Sequence, residues 1–309
     1  MSSFGRTDSL SDPGPVLRFL ACLAGALICL APAACAQGRA ECRSAPSKIL
    51  GRAVPFCVIL PPSYDAEKNA RYPILYSLHG LGASSETLLD SGGLDLIADL
   101  WQRNKIGEFL IATPEADRTF YVNSPDGRVP YQDFFMREFI PYIESHYRVR
   151  AERRYRAISG ISMGGYGALR FALLYPNLFG AVSAHSPALV DGGPSDGISP
   201  QQATVISRFL GSAFGTPFDP AYWTEESPFT IVRERRRPIG LEIYFDCGLD
   251  DSYGFNRGAA AFDKLLTSRG IPHEFHLYPG VHDWAYFAQH LPASLEFHSR
   301  AFGLETASR

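Results

Sequence analysis

The strongest constraint in this sequence is a serine flanked by glycines, in the segment Gly160-Ile161-Ser162-Met163-Gly164. An apolar run at 155–159 precedes the segment, and residues 165–174 follow it with apolar side chains at helical spacing. This order predicts a strand, a sharp turn and a helix. A β-carbon at either glycine of such a turn would collide with the strand or the helix. We therefore predict that the turn holds the hydroxyl of Ser162 clear of a sheet, as a nucleophile requires.

The rest of the chain alternates between apolar strand patterns and helical patterns. Besides 155–159, the predicted strands are 54–60, 72–78, 109–113, 181–185, 241–245 and 274–278. Such alternation predicts the α/β class, with a mostly parallel, doubly wound sheet in a single domain over 37–309. The alternation is interrupted at 187–238, a segment rich in glycine, proline and serine. We interpret it as a small insertion, or cap, over the carboxyl ends of the strands, where α/β proteins bind ligands.

The first 36 residues have the pattern of a secretory signal peptide. Arg18 precedes an apolar block at 19–30, and small residues at 31–36 provide an A-x-A cleavage pattern. Because the block is too short for a transmembrane helix, we predict cleavage after Ala36 and export to the periplasm or the extracellular space. Acylation at Cys35, which would make a lipoprotein, is the alternative; Pro32 argues against it, because such motifs prefer leucine at that position.

Composition argues against several functional classes. With a formal net charge of −3, the chain gives no reason to expect nucleic acid or an anionic membrane as a partner. No His/Cys cluster suggests a metal, and we expect neither a metal nor an organic cofactor. Of the 6 cysteines, the predicted mature chain keeps Cys42, Cys57 and Cys247. Cys42 and Cys57 flank a predicted strand pair. In an exported protein they can form a disulfide, and two reduced thiols are the alternative.

A serine nucleophile needs a base and a carboxylate that orients the base. In an α/β fold of this type, the partners follow in the order serine, acid, histidine. His282 lies in a turn between a predicted strand and a predicted helix, and it is the predicted base. Asp246, Asp250 and Asp251 lie at or just after the end of the penultimate predicted strand. We expect Asp246 to serve the local turn at the strand end. Gly248 allows the chain to bend toward His282, so we choose Asp251 as the acid. Asp250 is the alternative.

The oxyanion of an acyl-transfer reaction needs N–H donors. The first is expected from Met163, at the start of the helix that follows Ser162. The second is expected from Leu81, in the turn after the strand at 72–78, where the fold supplies such a donor. Three further residues are candidates for the substrate pocket: His79, His185 and Trp223.

These segments together resemble the putative-esterase family of α/β-hydrolases. The family includes S-formylglutathione hydrolases, tributyrin, feruloyl and siderophore esterases, and the antigen 85 mycolyltransferases. The segments that carry the resemblance are 60–64 (LPPSY), 78–80 (LHG), 160–165 (GISMGG), 247–251 (CGLDD) and 280–284 (GVHDW). The similarity extends over nearly the whole predicted mature chain. The insertion departs from it and matches no single subfamily, so the substrate stays open.

The resemblance implies the α/β-hydrolase fold, a catalytic triad and an oxyanion hole at numbered positions of this chain. The triad would be Ser162, Asp251 and His282, because the family's acid follows a C-G-x-x-D pattern. The oxyanion hole would be formed by Leu81 and Met163.

We therefore predict an exported serine carboxylester hydrolase that acts through an acyl-enzyme on short-chain or aryl, feruloyl-type esters. Its substrate would be a small-molecule or carbohydrate-linked ester. Two alternatives keep the same triad: an acyltransferase of the mycolyltransferase type, which passes the acyl group to a sugar or lipid hydroxyl, and a thioesterase like S-formylglutathione hydrolase. A catalytically silent binding protein on the same scaffold is a third alternative. The sequence leaves the oligomeric state open.

Overall fold

The computed structural model describes residues 37–192, 209–235 and 237–304, together with Met1 and Gly5. The chain divides into two compact units, Met1–Ala36 and Gln37–Arg309, and the fold below is that of the second. The predicted signal peptide at 1–36, the alternative acylation site Cys35 and residues 193–208 of the predicted insertion lie outside the described residues, apart from Met1 and Gly5.

An eight-stranded sheet organises the second unit, with the strand order β1-β2-β4-β3-β5-β6-β7-β8. The strands are β1 (Arg39–Ser47), β2 (Arg52–Leu60), β3 (Ile74–Leu78), β4 (Leu110–Pro114), β5 (Arg156–Ile161), β6 (Ala181–His185), β7 (Glu242–Gly248) and β8 (Glu274–Tyr278). β2 pairs antiparallel with both β1 and β4, and all other pairs are parallel. The predicted α/β class and mostly parallel sheet are confirmed.

Helices cover both faces of this sheet. They are α1 (Thr87–Asp90), α2 (Gly93–Gln102), α3 (Tyr131–Phe134), α4 (Ile140–His146), α5 (Met163–Leu174), α6 (Pro220–Glu226), α7 (Pro228–Glu234), α8 (Phe255–Ser268) and α9 (Trp284–Ala301). α2 and α9 contribute to one apolar core, and α5 and α8 contribute to the larger core on the opposite face. Among the described helices, none combines the length and the apolar character needed to cross a bilayer.

Several boundaries differ from those predicted, each for a local reason. β3 begins at Ile74 rather than Tyr72, because Pro73 has no N–H to donate to a neighbouring strand. β7 continues to Gly248 instead of ending at Phe245, because its last residues pair with β8. A π-helical turn, Phe135–Phe139, lies between α3 and α4.

The β1–β2 hairpin carries a cross-link. Cys42 and Cys57 are directly opposed in the register of the two antiparallel strands, with their Cα atoms 4.0 Å apart, and they form a disulfide. This is one of the two outcomes that the sequence left open. Cys247, in contrast, is a free and fully buried thiol on β7.

One face of the sheet changes from apolar to polar along its strands. Ser77, Ser159 and Ser183 are aligned across β3, β5 and β6, and His185 and Asp246 are aligned across β6 and β7. Four of the five lie toward the carboxyl ends of their strands, and Ser183 lies at the middle of β6. Since neighbours in register share a face of a sheet, these residues form one polar layer.

Helix α9 supplies hydrogen-bond partners to this polar layer. The hydroxyl of Ser183 donates to Ser159 Oγ at 2.7 Å and accepts from His298 Nε2 at 2.8 Å. His298 is fully buried, and this burial lowers the pKa of its imidazole to about 3. The ring therefore remains neutral over the ordinary pH range.

The neutral state of His298 predicts a pH-dependent stability. In the unfolded chain the imidazole has its usual pKa of 6.5, so between about pH 6.5 and 3 the unfolded state binds a proton that the folded state does not bind. This contribution is constant above pH 6.5 and is lost as the pH falls, at up to about 1.4 kcal/mol per pH unit. Urea unfolding of wild type and His298→Gln between pH 7 and 4.5 measures it. The glutamine amide can still donate to Ser183 but does not titrate, so we expect a shallower slope for the variant. Equal slopes would contradict this account.

Candidate active site

Ser162 occupies a strained turn between β5 and α5. Its backbone angles are φ 57° and ψ −115°, in the left-handed region that residues with a β-carbon rarely adopt. Three backbone hydrogen bonds hold this conformation. The N–H of Ser162 donates to the carbonyl of His185 at 2.9 Å, and its carbonyl accepts from the N–H groups of Tyr166 and Ala188, both at 3.0 Å. The predicted strand–turn–helix around the serine is present.

The flanking glycines allow three backbone segments to meet at this turn. A β-carbon at Gly160 would lie within 3.0 Å of the backbone of Gly164 in α5, and one at Gly164 would lie within 3.0 Å of the carbonyl oxygen of Leu78 in β3. Real β-carbons essentially never come so close to another heavy atom. The steric reason that the sequence suggested for both glycines therefore applies.

The structure brings Asp251 together with His282. Asp251 Oδ2 accepts from His282 Nδ1 at 2.7 Å, and the carboxylate is completely buried. Its other oxygen, Oδ1, accepts from the backbone N–H groups of Tyr253 and Phe255, at 3.0 and 3.3 Å. Asp250, the alternative acid, is exposed, and its backbone N–H donates to the carbonyl of Gly280.

These contacts keep the Asp251 carboxylate charged. Burial by itself would raise the pKa of Asp251, but the hydrogen bond and charge of His282 and the two backbone donors outweigh burial and lower that pKa. Because Nδ1 of His282 donates to this carboxylate, Nε2 is left free to accept a proton. Ser162 and His282 line the same cavity.

Leu81 and Met163, the two predicted oxyanion donors, lie close to Ser162 at the cavity. Met163 is the first residue of α5, so its N–H has no acceptor within the helix and lies at the positive end of the helix dipole. Leu81 follows β3 in a turn next to Ser162, and both Leu81 and Met163 line the cavity.

His79 supports the turn that contains Leu81. Its Nε2 accepts from the N–H of Ala116 at 2.9 Å, so the proton is on Nδ1, which donates to the carbonyl of Gly80 at 2.8 Å. The hydroxyl of Tyr121 donates to the carbonyl of His79 at 2.9 Å. His79 lines the cavity as predicted, but both ring nitrogens are engaged within the protein.

The cavity has a volume of about 740 Å³, a size typical of small-molecule sites. Its wall is largely apolar. It includes Phe120, Phe209, Leu210, Trp223, Phe287 and Leu291. Hydroxyl groups of Ser84, Ser85 and Thr87 lie in the same lining. Among the described residues that line it, there is no lysine or arginine.

Trp223 belongs both to the insertion and to the cavity wall. Its indole is almost fully buried, stacks on Tyr166 of α5 and contacts Phe214 edge to face. Its Nε1 donates to the carbonyl of Gly192 at 3.0 Å. The described part of the insertion is therefore packed on α5 beside Ser162.

A buried serine–histidine–aspartate set lies elsewhere on the sheet, at the ends of β6 and β7 and on α9. His185 Nδ1 is 2.8 Å from Asp246 Oδ2, and His185 Nε2 is 2.8 Å from Ser294 Oγ of α9. All three residues are fully buried, although the His185 ring forms part of the cavity lining. Ser294 donates its hydroxyl to the carbonyl of Leu291, which leaves it no role as a nucleophile.

The expectation that Asp246 serves the local turn is wrong. Its carboxylate faces His185 across the sheet and accepts from the hydroxyl of Tyr286 at 2.8 Å. Burial raises the pKa of Asp246, but His185 and Tyr286 outweigh it and lower the pKa. Sequence reasoning missed Ser294 and Tyr286, whose signal is the polar face of α9 at a spacing of four residues, His290, Ser294 and His298.

This arrangement suits acyl transfer. A serine stands at a strained turn, an imidazole is oriented by a buried carboxylate, and the two residues predicted as oxyanion donors line the same cavity. Each part is present on a different element, which is the usual geometry of such sites.

Comparisons with known proteins agree with this chemistry. A family model described as putative esterase matches residues 47–298. An acetyl esterase of Caldicellulosiruptor saccharolyticus is 27% identical over 266 residues, which cover 82% of this chain and 96% of that protein. An esterase of Mycobacterium tuberculosis is 29% identical over 250 residues, which cover 73% of this chain and 51% of that protein. This chain therefore spans about half the length of the mycobacterial relative.

Solved structures share the fold. A ferulic acid esterase superposes with a TM-score of 0.74 at 28% identity, covering 86% of this chain and 99% of that one. An S-formylglutathione hydrolase of Agrobacterium tumefaciens superposes with a TM-score of 0.69 at 21% identity, covering 87% of this chain and 97% of that one. At this lower identity the likeness concerns the fold alone.

The two neighbouring aspartates provide a matched test of the site. Asp251→Asn should lower the turnover of a p-nitrophenyl ester by roughly 10⁴-fold, because the imidazole loses the carboxylate that orients it and stabilises its cation. Asp250→Asn removes the same charge one residue away from an exposed position and should leave the turnover near that of wild type. If both variants lose the same turnover, or if only Asp250→Asn loses turnover, Asp251 is not the acid.

Proposed function

Because this chain belongs to the putative esterase family of α/β-hydrolases, we propose that it hydrolyses carboxylic esters through an acyl-enzyme on Ser162. The observation that carries the proposal is the buried Asp251–His282 pair at the cavity that also contains Ser162. In this proposal no step uses a metal or an organic cofactor.

The first half of the reaction acylates the serine. Ser162 Oγ attacks the ester carbonyl carbon while His282 Nε2 takes the hydroxyl proton. Asp251 stabilises the resulting imidazolium through its hydrogen bond to Nδ1. The carbonyl oxygen becomes an oxyanion and accepts from the N–H groups of Leu81 and Met163. Loss of one such donor costs ~10²–10³-fold in turnover.

The second half releases the acid. His282 donates its proton to the alkoxy oxygen, the C–O bond breaks and the alcohol leaves. His282 then takes a proton from a water molecule, which attacks the acyl carbon bound to Ser162. Collapse of the second tetrahedral intermediate frees the carboxylic acid and returns the proton to Ser162.

We propose short-chain or aryl esters with an uncharged acyl group as substrates. The apolar wall supports this choice, as does the absence of lysine and arginine among the described lining residues, because a charged acyl group would bind there without a counter-ion. Two relatives support it by their printed names, an acetyl esterase and a ferulic acid esterase.

The two alternatives with the same triad stay predictions. Glutathione carries two carboxylates, and the described cavity lining offers no cationic side chain to pair with them, so the thioesterase alternative is less well supported. Transfer to a sugar or lipid hydroxyl depends on the exclusion of water from the acyl-enzyme, and no observation in the described part of the chain favours it.

Hydrolysis of a panel of esters tests the proposal. We expect wild type to cleave p-nitrophenyl esters of short acyl chains and methyl ferulate, with rates that fall for long chains because the cavity has a limited volume. Ser162→Ala should abolish the activity above background, since it removes the attacking oxygen.

The controls separate the alternatives. Labelling of wild type but not Ser162→Ala by a fluorophosphonate probe reports an activated serine independently of the substrate. Absence of labelling would favour the alternative that the chain is a catalytically silent binding protein. A transfer product formed with added glycerol or trehalose would favour the acyltransferase.

We also propose that the protein is exported after cleavage behind Ala36. The disulfide between Cys42 and Cys57 supports this, because such bonds persist in oxidising compartments and are rare in the cytosol. Mass spectrometry of the protein from its native host should find a chain that begins at Gln37, in the periplasmic or extracellular fraction. An intact N-terminus in the cytoplasm would contradict export, and a lipid on Cys35 would indicate the lipoprotein alternative.

A further inference from the structure

The carboxylate of Asp251 accepts hydrogen bonds from more groups than a catalytic triad requires. Besides the two backbone donors on Oδ1 and His282 on Oδ2, the thiol of Cys247 donates to Oδ2, with a distance of 3.6 Å between sulfur and oxygen. Four donors thus surround a carboxylate that has about four lone-pair directions. The thiol and the imidazole share one oxygen atom.

The backbone keeps the Cys247 thiol in this place. Cys247 lies within β7, fully buried and in register with Leu277 of β8. The next residue, Gly248, packs directly on the loop that leads to His282, because a β-carbon there would lie 2.5 Å from the carbonyl oxygen of Gly280. The strand that carries the thiol and the loop that carries the base are therefore in backbone contact.

The sulfur is a donor at every pH at which the enzyme would act. Burial raises the pKa of the Cys247 thiol to about 12; the side chain of Ser186 acts against this increase, and Asp251 adds to it. A buried thiol that stays protonated is a poor nucleophile and a poor target for oxidation. The interaction that links it to the candidate active site is the S–H bond to Asp251.

We propose that Cys247 is a positioning residue of the active site, which fixes the Asp251 carboxylate and reduces the basicity that this carboxylate presents to His282. This inference rests on the proposed esterase function. An S–H donor on Oδ2 disperses part of the negative charge that would otherwise act on the imidazolium alone. Loss of the thiol should therefore change the pH dependence of the reaction at Ser162.

Removal of the Cys247 thiol should shift the acidic limb of the pH profile in one direction. Without the thiol, the carboxylate stabilises the imidazolium more strongly, so His282 loses its proton at a higher pH. The acidic limb of the pH profile should then move to higher pH, while the plateau above it stays unchanged. A residue with a merely structural role would lower the rate at every pH instead.

Other ionisable groups lie around this pair. They are His185 of β6, Asp246 of β7, Asp250 and Tyr253 of the loop after β7, and Asp283 and Tyr286 at the start of α9. These residues are the same in wild type and in each Cys247 variant. A difference in the pH dependence between variants therefore reports the effect of the thiol.

The test measures the rate of inactivation by a fluorophosphonate probe from pH 5 to 9, for wild type, Cys247→Ala and Cys247→Ser. The expected shift for Cys247→Ala is roughly half a pH unit upward, as for loss of one weak hydrogen bond. Below the limb this variant should react about three-fold more slowly than wild type, and on the plateau at the same rate. Serine restores a donor, so Cys247→Ser should return the limb to the wild-type pH or below it.

A control variant at another buried position distinguishes a loss of stability from a shift in the pH dependence. Phe245→Leu truncates a fully buried side chain on the same face of β7, two residues before Cys247. It should lower the melting temperature but leave the limb in place. An unshifted limb in Cys247→Ala, or equal shifts in the alanine and serine variants, would overturn the role of the thiol while leaving the esterase proposal intact. Failure of wild type to react with the probe at any pH would overturn both.

Discussion

Three backbone segments meet at Ser162 with no room for a side chain between them. The end of β5, the first turn of α5 and the carbonyl of Leu78 approach each other where only glycine fits, at Gly160 and Gly164. The contact holds Ser162 at a φ of 57°, a conformation that costs of order 1–3 kcal/mol and persists only under such constraint. The same contact places Met163 at the cavity. One packing arrangement therefore positions both Ser162, the proposed nucleophile, and Met163, a proposed oxyanion donor.

The polar layer on one face of the sheet connects this turn to the base. The carbonyl of His185 accepts from Ser162, while its ring contacts Asp246 and Ser294. Ser294 belongs to α9, the helix that begins two residues after His282. Buried polar networks of this kind are costly unless satisfied, and they specify a single arrangement when they are. The apolar cores fix the sheet and helices, and the polar layer links the turn at Ser162 to the helix that follows His282.

Much of this could be predicted from the sequence. Parallel strands buried on both faces are continuous apolar runs, so their positions could be predicted closely, and the flanking glycines identified Ser162. The choice between Asp250 and Asp251 depends on how one loop turns; Gly248 and the C-G-x-x-D pattern favoured Asp251, and the loop brings that residue to His282. The contact between Asp246 and His185 depends on the register between β6 and β7, so the expectation that Asp246 serves the local turn was wrong. The π-helical turn before α4 also has no distinct sequence signal. Features that depend on neighbouring residues in the sequence could be predicted, whereas side-chain contacts between different strands could not.

The cross-link in the β1–β2 hairpin affects whether other chains can pair with the edge of the sheet. β1 is the terminal strand of the sheet, and such strands expose unpaired backbone groups to which a foreign chain can add. Slippage by one residue would reverse which side chains of β1 face inward. A covalent bond between directly opposed residues, Cys42 and Cys57, permits only one register. Reduction of the disulfide would allow β1 to shift its register and to pair with another chain. The resistance of this edge strand to aggregation therefore depends on the redox environment.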